Sequence, residues 1–151
     1  MVEIDIAYLG ELRCEAVHGP SGNRMQTDAP VDNHGKGESF SPTDLCATAL
    51  GTCMMTIMGI QARTAGFDIT GTRAKVLKIM STDSPRRIAR LDVTMEVPVE
   101  LDEKRRQQLV RAAKTCPVHF SLHPDVEIRL QFNWKDAEGT AILTEEGVIH
   151  E

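Results

Sequence analysis

Hydrophobic and polar residues alternate near both ends of the chain, and the alternation breaks in the middle. Val2, Ile4 and Ile6 alternate with Glu3 and Asp5, and Leu12, Cys14 and Ala16 alternate with Arg13 and Glu15. A period of two predicts two half-buried strands on either side of a turn at Gly10, with Cys14 pointing inward. A second turn, from His18 through Gly19, Pro20 and Gly22 to Asn23, leads to a third strand around residues 24–28 and completes a meander. Residues 29–40, with Pro30, Gly35 and Gly37, form a loop of the length that is usually functional inside a compact domain.

The period then changes. Residues 41–66 read as one long helix: Ser41 is an N-cap type, Pro42 suits the first helical position, Asp44 completes a capping box, and Gly66 suits a left-handed C-cap. From Leu45 to Ile60 no side chain is charged. A helix apolar all round is expected to be buried all round. The uncharged run is shorter than the roughly 20 apolar residues a membrane span needs, so burial inside protein is expected, with a second copy of the helix completing the cover. Ala47 and Gly51, four apart, are the positions expected to let that copy approach.

Beyond the helix, alternation resumes over residues 67–80, where Ala74, Val76 and Met80 oppose Arg73, Lys75 and Leu77. Residues 81–87 form a turn, and Leu91, Val93, Met95 and Val97 alternate with Asp92, Thr94 and Glu96. Asp102 caps a second helix that runs to about Thr115 and is stopped by Pro117. Val126, Ile128, Leu130 and Phe132 make a last strand, and residues 135–151 read as an acidic tail with weak signals. Strands, helix, strands, helix and strand, joined by hairpins, predict one α+β domain over residues 1–151 with antiparallel sheets.

Composition narrows the function classes. Apolar residues make up 41% of the chain, with one Trp, one Tyr and four Phe, so Leu, Ile, Val, Ala and seven Met must fill the interior. A net charge of −5 argues against nucleic acid or an anionic membrane surface as the main partner. Met1 to Gly10 carries Glu3 and Asp5 and has no signal-peptide pattern, which predicts a cytoplasmic protein. In that setting Cys14, Cys46, Cys53 and Cys116 read as thiols, ligands or redox centres rather than a disulfide framework.

Cys46 and Cys53 are seven apart on the long helix, with Cα atoms roughly 10 Å from each other, too far to bond. Cys116, ending the second helix on its inward stripe, is the natural candidate partner for Cys53. A nucleophilic Cys53 needs a cation nearby, and Arg24 is the candidate, with Glu38 or Asp44 able to hold its guanidinium. At a helix C-terminus Cys116 suits a second, resolving role. A small buried core residue is the simpler reading for Cys14 and Cys46, and for Cys53 and Cys116 both readings stand. The His119 and His123 pair, with Cys116, forms a weak metal-ligand pattern, against which solvated loop histidines are the plainer reading.

Ser41-Pro42-Thr43-Asp44-Leu45 entering a helix with Ala49, Gly51 and Cys53, followed by Cys116-Pro117-Val118 after a second helix, resembles the OsmC/Ohr family of thiol-dependent hydroperoxide-reducing proteins over roughly residues 4–134. With Thr43 after the proline and no Gly-Gly-Arg hairpin, the chain looks like the general OsmC-type branch. The resemblance implies an intertwined homodimer whose sheets wrap around two long central helices. It implies Cys53 as the peroxide-attacking cysteine, Cys116 as the resolving one, an organic hydroperoxide as substrate, no cofactor or metal, and an external lipoyl-type dithiol as reductant. The rival expectation is a non-catalytic dimeric module of the same fold that holds a small apolar ligand beside Cys53.

Overall fold

The period-two pattern of the N-terminal third produces three strands, β1 (Ile4–Gly10), β2 (Arg13–His18) and β3 (Arg24–Thr27), in an antiparallel sheet of that order. Gly10, Glu11 and Leu12 all have positive φ, which makes the tight reversal between β1 and β2. Pairing sets Tyr8 opposite Cys14, Ile6 opposite Ala16 and Ala16 opposite Met25, so these residues share one face. That face is only partly covered: Ile4, Ile6, Tyr8 and Met25 are 57, 69, 67 and 48% exposed. The alternation is as expected, and Ala16 is the buried residue of that face.

The structure, a computed structural model, describes residues 1–136, 138 and 141–149. It resolves into two compact units, residues 1–46 and 47–151. In the first, the loop after β3 closes on itself. The Asp28 N–H donates to the Phe40 carbonyl at 3.2 Å, Gly35 N–H to Pro30 at 3.0 Å and Gly37 N–H to Ala29 at 3.2 Å. A Cβ on Gly35 would lie 1.7 Å from the Ala29 oxygen, so only glycine fits there.

Helix α1 (Pro42–Thr64) begins in the first unit and runs through the second. Its capping box is formed in both directions: Asp44 N–H donates to Ser41 Oγ at 3.2 Å and Ser41 N–H to Asp44 Oδ2 at 2.8 Å. At the other end Phe67 N–H reaches the Ala62 carbonyl and Gly66 N–H that of Arg63, with Gly66 at φ 76°, a Schellman stop. Ala47, Leu50, Gly51, Met54, Met58 and Ala62 form one buried stripe. Cys46, Thr48, Thr52, Thr56 and Ile60 are exposed, so one chain covers one face of the helix rather than both.

The second unit packs that stripe on a four-stranded sheet of β4 (Arg73–Met80), β5 (Ile88–Glu100), β6 (Glu127–Lys135) and β7 (Ala141–Val148), in that order. Leu91, Val93, Met95 and Val97 of β5 and Ile128, Leu130, Phe132 and Trp134 of β6 are buried, as their alternation requires. Gly51 meets this sheet: a Cβ there would lie 2.9 Å from Val76 Cγ2. Gly51 and Ala47 therefore serve contact within the chain, in place of the approach of a second helix expected of them.

Two further differences concern pairing. β5 and β6 run parallel, because α2 (Glu103–Lys114) and α3 (Pro117–Ser121) form a crossover between them, so the sheet is mixed rather than antiparallel. Residues 141–148, read as part of a tail, form β7 antiparallel to β6. Residues 137, 139–140 and 150–151 of that expected tail lie outside the described residues.

Candidate active site

Cys53 stands on α1 beside the buried stripe, next to Met54, and is half-buried. Cys116 is fully buried in the same core. It occupies the junction of two helices: Thr115 ends α2, and Cys116, with φ −61° and ψ 123°, is the N-cap residue of α3, where Pro117 takes the first position. The Cys116 side chain belongs to the core against which Cys53 packs. Both cysteines are free thiols.

Burial, above all, pushes the Cys116 thiol up to about 11. The neighbouring Cys53 thiol acts in the same direction, while the backbone N–H groups of His119 and Val118 act the other way. No side-chain cap hydrogen bond forms at α3. That direction favours a protonated Cys116, and its cause differs from the helix C-terminus expected. Desolvation decides it, and the nearer helix terminus is the start of α3 rather than only the end of α2.

The charged candidates fall otherwise than expected. Arg24 is 65% exposed and pairs with Glu15 at 2.6 Å. Asp44 is engaged in the α1 capping box. Glu38 holds a guanidinium, but it is that of Arg13. Arg13 also reaches Asp28 at 3.5 Å, and Asp28, 1% exposed, accepts the Glu38 N–H at 2.9 Å. That backbone bond is the largest influence holding the Asp28 carboxyl below its usual range, and the charge of Arg13 adds to it. Arg13 is the residue the sequence reading missed. It lies on the polar side of a short strand, and nothing local connects it to a carboxylate 25 residues later.

Among the described residues no three Cys, His, Asp or Glu side chains cluster as metal ligands. His119 turns its Nδ1 toward the Lys114 carbonyl at 3.4 Å, and His123 Nδ1 accepts the Asp125 N–H at 3.2 Å. A cavity of about 750 Å³ in the second unit is lined by Met55, Gly59, Arg63, Phe67 and Ile69 among others, and neither Cys53 nor Cys116 borders it.

Residues 35–131, which contain the whole of α1, Cys53, Cys116 and the crossover, match the family described as OsmC-like protein. The chain belongs to the OsmC-like family. Among solved OsmC-like and related structures, it is similar to an osmotic-stress-induced and detoxification-response protein of Psychrobacter arcticus, with 46% identity, 87% of this chain and 96% of that one covered, and a TM-score of 0.83. The OsmC-like protein of Mycoplasma pneumoniae shares the fold at 15% identity, covering 89% of this chain and 96% of that one, with a TM-score of 0.75. An organic hydroperoxide resistance protein of Legionella pneumophila does so at 12% identity, covering 87% and 96%, with a TM-score of 0.71. No curated protein matches the chain.

Proposed function

We propose that this OsmC-like protein is a thiol-dependent peroxidase that reduces organic hydroperoxides in oxidative-stress defence. The observation that carries the reading is that two free thiols, one half-buried and one fully buried, are brought by different elements into one core. The Cys53 thiolate attacks the terminal peroxide oxygen, the O–O bond breaks, and the alkoxide leaves as an alcohol after taking a proton. Cys53 is then a sulfenic acid. Cys116, once deprotonated, attacks that sulfur and releases water, leaving a Cys53–Cys116 disulfide. Both cysteines belong to one core, which favours condensation within the chain. An external dithiol, of the lipoyl type in the family, returns both thiols.

The relatives support the reading at the level of the family, since an organic hydroperoxide resistance protein shares this fold. The working form we propose is a homodimer in the cytoplasm. Two surfaces argue for a second copy: the exposed face of α1, which carries no charged side chain from Leu45 to Ile60, and the exposed apolar face of the β1–β2–β3 sheet.

Intact-mass spectrometry tests the cycle. A stoichiometric dose of cumene hydroperoxide is expected to remove two hydrogens from the chain. Cys53→Ser abolishes the loss, and Cys116→Ser leaves a sulfenic acid that dimedone captures. Protein that consumes no cumene or tert-butyl hydroperoxide with a dithiol present would refute the proposal, and the binding-module reading would take its place.

A further inference from the structure

The second unit carries a cleft that the thiol chemistry does not use. Its volume of about 750 Å³ lies within the range of about 300–1,000 Å³ usual for small-molecule sites. One wall is α1, where Met55, Gly59 and Arg63, spaced four apart, run along one flank of the helix. Cys53 precedes Met55 by two residues, which sets it about 200° away around the helix axis, and it does not border the cleft. The other wall is the connection from α1 to β4, which leaves the helix at the Gly66 stop and contributes Phe67, Asp68, Ile69 and Thr70. Ile69 is buried and Met55 and Phe67 are half-buried, whereas Arg63 and Asp68 are exposed, so the lining is apolar within and charged at the rim.

Two opposite charges thus stand on the two walls, and they do not pair with each other. The Arg63 guanidinium has no ion-pair or hydrogen-bond partner among the described residues. Asp68 is held by its own turn: Thr70 Oγ1 donates to Oδ1 at 2.7 Å and the Thr70 N–H to the same oxygen at 2.8 Å. The hydroxyl first, and then the N–H, keep the Asp68 carboxyl below its usual range, so that wall is anionic at neutral pH. A simple carboxylate in the cleft would meet repulsion from Asp68, and a simple amine would meet repulsion from Arg63. A molecule with both charges satisfies both walls. We infer that the cleft binds a zwitterion with an apolar body, of the class of the larger apolar α-amino acids, its carboxylate on Arg63, its ammonium on Asp68 and its side chain against Met55, Phe67 and Ile69. The site stands apart from the peroxidase reading, because neither thiol borders it.

Isothermal titration calorimetry of the full-length protein compares three probes of similar shape: phenylalanine, phenylpropionate, which lacks the ammonium, and phenylethylamine, which lacks the carboxylate. Phenylalanine is expected to bind at one site per chain, and each analogue about tenfold more weakly, for the loss of one charge-assisted pair. Arg63→Gln should weaken phenylalanine about tenfold and spare phenylethylamine. Asp68→Asn, which keeps an acceptor for Thr70, should weaken phenylalanine and spare phenylpropionate. Gly59→Leu sends a side chain out from the helix wall, where an added Cβ meets no atom within 4 Å, and should abolish binding of all three with the fold intact by circular dichroism. No saturable heat for phenylalanine at millimolar concentration would overturn the inference. So would an analogue that binds as tightly as phenylalanine, since one charge would then suffice, or binding that survives all three substitutions, which would place it elsewhere. Hydroperoxide consumption is expected to be unchanged in Arg63→Gln, and failure of the thiol cycle would leave these titrations as they are.

Discussion

Arg13 and Glu38 form an ion pair across 25 residues of sequence, and the buried Asp28 carboxylate joins them by holding the Glu38 backbone. The loop between β3 and α1 is thereby tied to the middle strand of the first sheet. By contrast, Arg24 and Glu15 form an exposed cross-strand pair, of a kind that contributes little. Asp28→Ala is expected to lower the thermal midpoint clearly more than Arg24→Ala, and to speed limited proteolysis within residues 28–40. Equal effects from the two substitutions would contradict the arrangement.

Opposite pH limits follow from two groups. Asp28 is held below its usual range by the Glu38 N–H and Arg13, so its contribution is complete above the unfolded carboxyl range and is lost as pH falls through its lower folded value. Cys116 is raised to about 11, so the folded state holds its proton longer than the unfolded state does. The stability from that thiol is complete below the unfolded value of about 8.5 and is lost as pH rises toward 11. Denaturant melts across pH should therefore show an acid loss removed by Asp28→Asn and an alkaline loss removed by Cys116→Ser.

Gly51 is fitted to Val76. A methyl at Gly51 would lie 2.9 Å from Val76 Cγ2, a stiff side chain on a paired strand. Overpacking of this kind costs about 1–3 kcal/mol, against a gain of about 1 kcal/mol in helix propensity. Gly51→Ala is expected to be destabilising by about 1 kcal/mol, and Gly51→Val by more. A double-mutant cycle with Val76→Ala should show coupling of at least about 0.5 kcal/mol. Additive effects would mean the contact is not limiting.

Thr56 is exposed on α1, its hydroxyl turned back to the Thr52 carbonyl at 2.8 Å. In a lone chain Thr56→Glu should change stability by no more than about 0.5 kcal/mol. In the proposed homodimer the same charge would sit in an apolar interface and drive dissociation. Sedimentation of wild type and variant decides: a dimer turned into a folded monomer is expected, and a wild-type monomer at high concentration would remove the proposal.

The amino-acid sequence by itself determined the parts that depend on neighbours in the chain. The capping box of Ser41 and Asp44, the stop at Gly66, the Asp102 cap of α2 and the alternation of Leu91 to Val97 are local, with energies set within a turn or a strand. Cys53 and Cys116 stand out for a similar reason, Cys53 in the uncharged run of the long helix and Cys116 just before the proline that follows the second. Tertiary structure decided what depends on meetings between distant residues. Which guanidinium Glu38 holds, which face of α1 Gly51 serves, and that Cys116 shares a core with Cys53 are all pairings that no local pattern encodes. The parallel run of β5 beside β6 and the strand at residues 141–148 belong here too. Backbone hydrogen bonds are indifferent to side chains, so partner and direction come from where the crossover delivers the chain.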